Sequence, residues 1–249
     1  MDDLLKYCLR LGDTSLILSH RLGEYSSYGP YLEEDLAITN VALDHIGQAE
    51  SFLKYAVEIE GNGRTEDDLT FRRPEKEFFN VQLVEQPNGD FAHIMARQYF
   101  IDEFNYGLYS VLKNSSNETL AAIANKSLKE VAYHVRRSGE WLVRLGDGTE
   151  ESHERIQMAV NELWKYTGEL FEMDGTDEAL IAKGVAPNLE EIKVSWNDRV
   201  DEVFRRAKLE RPENDHMVSG SRNGIHSEHL GHLLAEMQSL PRAYPDAVW

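Results

Sequence analysis

Residues 123–145 read IANKSLKEVAYHVRRSGEWLVRL. Leu128, Val131, His134 or Val135, Ser138, Leu142 and Leu145 recur there every three or four positions, which places them on one face of a long helix. The face is mostly apolar, so it points inward, and His134 sits on it. One turn before His134 stands Val131, which has no lone pair to offer a metal.

Outward from this stretch the chain reads as helices separated by turn residues. The helix that contains it starts after the Ser115-Ser116-Asn117 turn and stops at Gly146 and Gly148. Before it, Asp90 is the expected N-cap of a helix from Phe91 to about Lys113. A helix from about Leu32 to Glu60 ends at Gly61-Asn62-Gly63, and another spans Leu4 to Glu24. The 32–60 helix is apolar on two sides: Ile38, Val41, Phe52 and Ile59 on one, Leu36, Leu43, Leu53 and Val57 on the other. That pattern predicts packing against several neighbours. Further helices are expected at about 152–171, 189–208 and 226–240, with a short helical piece near 76–84. No strand alternation is present in the sequence. The expected fold is all-α: a single domain over 1–249, with an up-and-down core bundle at about 2–145 and additional helices at about 150–240. The long segment between the second and third long helices matches the crossover of ferritin-like bundles.

Composition sets limits on function. Of the 249 residues, 41% are hydrophobic and 28% charged, and the formal charge is −18. So acidic a surface argues against binding nucleic acid or an anionic membrane, since both draw their energy from cations. No apolar run reaches the ~20 residues that span a bilayer, and no basic-then-apolar leader opens the sequence, so cytoplasmic residence is expected. The one cysteine, Cys8, has no internal disulfide partner and lies on the apolar side of its helix.

The inward positions have a particular spacing. Carboxylate-bridged di-iron bundles use one Glu from each of two helices and Glu-x-x-His from each of the other two. Here the three-residue spacings are His45…Gln48 and Val131…His134, so an amide and an alkyl group stand where anionic oxygens belong. Asp44 and Glu130 are each displaced by one residue, about 100° around the helix. Asp102 and Glu103 are the carboxylates of the third long helix, and Asp13 is that of the first. The sequence reads as a di-iron scaffold without iron of its own. His45, Gln48, Asp102, Val131 and His134 mark the vestigial positions, with no catalytic and no metal-binding residue expected. Asp13, Asp44, Asp102, Glu130 and His134 are candidates for a buried polar network, for example through a Glu130–His134 pair at i, i+4. The competing reading is an independent metal-dependent oxidase or hydroxylase that gathers Asp13, Asp102, Glu130 and His134; a ferritin-like storage protein is a third.

Several blocks stand together in one order: Leu9-Arg-Leu-Gly-Asp13, Leu43-Asp-His-Ile-Gly-Gln-Ala49, Val84-Glu-Gln-Pro-Asn-Gly89, Ala96-Arg-Gln-Tyr-Phe-Ile-Asp102, Lys129-Glu-Val-Ala-Tyr-His134, His226-Ser-Glu-His-Leu-Gly231 and Leu234-Ala-Glu-Met-Gln238. On these the chain resembles, nearly end to end, the PaaC family, the C subunits of the bacterial phenylacetyl-CoA oxygenase (ring 1,2-epoxidase). The resemblance implies a ferritin-like fold and a structural subunit without a cofactor of its own. It would support a related A subunit that holds the di-iron centre, in a complex with B and D components and an E-type reductase, using oxygen and NADPH. A homodimer of the chain alone is left open.

His226, Glu228 and His229 fall in one of these blocks and are candidates for a subunit interface; the plain alternative is a polar first helical turn. With His232 they also have metal-ligand spacing. Arg136-Arg137, Arg205-Arg206, Lys208 and the 219–224 turn are basic spots that suit CoA phosphates, or else ordinary solvated ion pairs.

Overall fold

A computed structural model describes residues 1–213, 216–245 and 247 of the chain. Among them are eleven α-helices and no strand: α1 (Asp3–Glu24), α2 (Leu32–Glu60), α3 (Glu66–Phe71), α4 (Gln82–Glu85), α5 (Phe91–Leu112), α6 (Glu118–Gly146), α7 (Glu150–Trp164), α8 (Gly175–Ala182), α9 (Leu189–Ala207), α10 (Glu228–Met237) and α11 (Ser239–Ala243).

The long helices begin and end where their termini find partners. Asp2, Asp90 and Asn117 each accept first-turn backbone N–H groups, which start α1, α5 and α6. Gly61 closes α2 in the left-handed region at φ 63°, which costs glycine no Cβ clash. α1 packs along α2 and α5 along α6, and α2 meets α6 to close a four-helix, ferritin-like bundle. The crossover is residues 61–90, carrying α3 and α4. Gly12 lets α1 approach α2, because a Cβ there would lie 2.8 Å from Leu53 Cδ2.

The later helices are built onto this bundle. α7 and α9 lie against α5 and α6, and α8 lies against α1. Phe100 of α5 meets Trp164 of α7 at 5.6 Å between ring centroids and Phe204 of α9 at 6.2 Å, and Trp164 meets Trp196 at 5.8 Å. Trp196 Nε1 donates to the Phe100 carbonyl at 3.1 Å. These aromatic contacts join the additional helices to the bundle without a break in the apolar core.

Three expectations change. The helix read over 152–171 stops at Trp164 and gives way to a 3₁₀ turn, Gly168–Phe171. α8 follows a capping box, Asp174 with Asp177, in the stretch between the helices expected at 152–171 and 189–208. The second apolar side of α2 is not covered along its length: Leu53 is buried, but Leu32, Leu36 and Leu43 are 71%, 54% and 60% exposed. No helix among the described residues is long and apolar enough to cross a membrane.

Candidate functional site at the bundle centre

Three helices meet around His134. α6 supplies His134 and Ser138, α2 supplies His45 and Gln48, and α5 supplies Gln98 and Asp102; all six are buried. Their placement follows from helical spacing. Gln98 and Asp102 are four apart on α5, as are His134 and Ser138 on α6, so each pair shares a face. The imidazoles of His45 and His134 lie 5.3 Å apart between centroids. A ring nitrogen of each and a carboxylate oxygen of Asp102 fall within 4.8 Å of one another.

The polar atoms are partly paired. Asp102 Oδ1 accepts from Gln98 Nε2 at 2.6 Å, and Oδ2 accepts from Ser138 Oγ at 2.8 Å. Gln98 Nε2 also lies 3.2 Å from His45 Nε2. His134 Nε2 pairs with Asp44 Oδ2 at 2.9 Å, while its Nδ1 stands 4.0 Å from Asp102 Oδ1, beyond hydrogen-bond reach. His45 Nδ1, His134 Nδ1 and Gln98 Oε1 have no partner. Desolvation governs the titration here. Burial lifts the Asp102 carboxyl to about 8, against the pull of its Ser138 and Gln98 hydrogen bonds. Burial and the nearby His134 push His45 well below the usual imidazole value. Burial lowers His134 too, with Asp44 opposing.

Gln48 and Val131 sit at the two positions where a di-iron site needs anionic ligands. Val131 is fully buried and aliphatic. Gln48 is turned to other work: its Nε2 donates to Glu130 Oε2 at 2.9 Å and its Oε1 accepts from Tyr109 at 3.4 Å. The residues present do not fit a carboxylate-bridged di-iron centre, because Asp102 is the one carboxylate directed at the centre among those described.

The remaining candidates are distributed differently from the sequence reading. Glu130 bonds Gln48 and not His134, since both Glu130 and Asp44 stand at the half-exposed rim of the site. Asp13 is fully buried but belongs elsewhere: it accepts from Arg73 Nη1 at 3.1 Å and from the Phe79 N–H at 3.0 Å. Arg73 comes from the crossover, sixty residues away, so no local spacing announces the pair. Glu103 points out to Arg199 of α9. The set Asp13, Asp102, Glu130 and His134 is therefore not gathered at one place: Asp13 pairs with Arg73 and Glu130 with Gln48.

His226 is also corrected. Its imidazole is enclosed, with Nε2 2.9 Å from the Phe78 carbonyl and Nδ1 3.3 Å from Glu85, so it is not presented to another protein chain. Burial opposes its charged form, but the hydrogen bond and charge of Glu85 outweigh this and raise its pKa. Glu228 is exposed and His229 half-buried, and neither groups with His226 or His232 as metal ligands among the described residues. Most of the basic spots are committed to carboxylates: Arg137 to Glu34, Arg205 to Glu202, Lys208 to Asp147 and Arg222 to Asp177. Gln98 escaped the sequence reading, although its i, i+4 relation to Asp102 is a usable signal.

Fold and site together define a ferritin-like helical bundle whose centre keeps two imidazoles and one carboxylate and lacks bridging anions. The chain belongs to the family of phenylacetic acid catabolic proteins, whose sequence model matches residues 1–249. It is 47% identical, over the full length of both chains, to the C component of the 1,2-phenylacetyl-CoA epoxidase of Escherichia coli (strain K12).

Proposed function

We propose that this chain is a non-catalytic structural subunit of a multicomponent phenylacetyl-CoA ring 1,2-epoxidase, acting in the cytoplasm in aerobic phenylacetate degradation. Its partner is a related A subunit that holds the di-iron centre, with B, D and E components completing the complex. The observation that carries the reading is chemical: Gln48 and Val131 replace the anionic oxygens that would balance and bridge two iron ions. A second feature supports it. Leu32, Leu36 and Leu43 lie at helical spacing on the outer side of α2, an apolar stripe suited to packing against a partner protein.

The test is oxygen consumption. The purified chain, reconstituted with ferrous iron and reductant, is expected to consume no oxygen and to show no bridged di-iron spectrum. With the A subunit it is expected to co-elute as a complex that supports phenylacetyl-CoA epoxidation. Two bridged irons in this chain, with oxygen uptake unaided, overturn the reading.

A further inference from the structure

We propose that His45, Asp102 and His134 bind one divalent transition-metal ion of the zinc or ferrous class, which ties α2, α5 and α6 together without oxygen chemistry. The donor set is the first reason. Two imidazoles and a carboxylate suit such ions, and one ion needs none of the bridging anions that two would require. Geometry is the second. The three donor atoms lie within 4.8 Å of one another, and atoms bound tetrahedrally to zinc stand about 3.3 Å apart, so the trio closes on an ion by at most about 1.5 Å.

The surroundings are the third reason. His134 Nε2 is held by Asp44 at 2.9 Å, which directs the opposite nitrogen, Nδ1, inward and free. A carboxylate behind a ligating histidine is the arrangement that orients and strengthens such ligands. Asp102 is oriented in the same way by Gln98 and Ser138. With the Gln98 amide donating to Asp102, His45 Nε2 faces that amide as the lone-pair nitrogen, and an ion would take this lone pair in place of the 3.2 Å contact. The unpartnered His134 Nδ1 costs stability while it stays unpaired. Charge balances as well: Asp102 directly and Asp44 through His134 offset a dication, while the nearest guanidinium, Arg137, is neutralised by Glu34. Val131, one turn before His134, is fully buried and adds no further donor.

The experiment uses the full chain stripped with chelator and titrated with Co²⁺ and Zn²⁺. Uptake of about one ion per chain is expected, with visible Co²⁺ ligand-field bands and a higher melting temperature. His45→Ala and Asp102→Asn are expected to abolish uptake. Asp44→Asn changes a rim residue and leaves the three donors in place; it is expected to weaken binding roughly 10- to 100-fold. The proposal is overturned if the stripped chain takes up no ion, or if uptake is unchanged in His45→Ala and Asp44→Asn. Failure here leaves the structural-subunit reading intact, whereas a bridged pair of irons consuming oxygen defeats both.

Discussion

Two buried polar clusters of the same bundle are arranged in opposite ways. Where α1 meets the crossover, Asp13 receives Arg73 and the Phe79 N–H, and Arg73 also donates to the carbonyls of Leu69 and Glu77 and lies 4.3 Å over the Phe78 ring. Every hydrogen-bonding nitrogen of that guanidinium has an acceptor. At the bundle centre, two imidazole nitrogens and an amide oxygen have nothing. The first cluster is complete within the chain and acts as a joint. The second leaves polar atoms over, which is the opening the metal proposal addresses. Burial alone does not distinguish the two clusters; how far their donors and acceptors are matched does.

Substitutions can break or sharpen that contrast. Asp13→Ala strands a buried guanidinium and is expected to lower unfolding stability by about 3–5 kcal/mol in denaturant titrations. His226→Gln comes next. Because the folded pKa of His226 is raised, its stabilising contribution is fully present below the unfolded value, about 6.5, and is lost as pH rises through the folded one. The variant should therefore trail the parent by about 1–3 kcal/mol at pH 6, with the gap closing by pH 9. Asp102→Asn in metal-free buffer is expected to stay within about 1 kcal/mol of the parent at pH 7, since burial already holds that carboxyl neutral there. A loss as large as that of Asp13→Ala would erase the distinction between the two clusters. Smallest on stability is Leu36→Asp, within about 0.5 kcal/mol because Leu36 is exposed. On co-elution with the A subunit it should have a large effect, and unchanged complex formation would remove the α2 stripe from the interface.

Much of the fold was legible because the deciding signals are local. The 3.6-residue periodicity around His134, the Asp90 cap and the Gly61 stop each act within a few residues, and the helices lie where those signals place them. The site was half legible. Helical spacing puts His45 and Gln48 on one inward face of α2, and Val131 and His134 on one of α6, while the partners of Asp44 and Glu130 depend on which helices face each other. That is why His134 pairs with Asp44 across the α2–α6 contact and not with Glu130 on its own helix. Asp13 was placed in the wrong cluster for the same reason: its partner arrives through the crossover.

By itself the sequence determined the helical class, the bundle order and the absence of two bridging carboxylates, because residue identity at a fixed helical spacing is enough for each. The tertiary structure alone decided which buried charges are paired and which donors are left over. Those depend on distances between helices far apart in sequence, and a hydrogen bond or a ligand sphere forms only within about 3 Å.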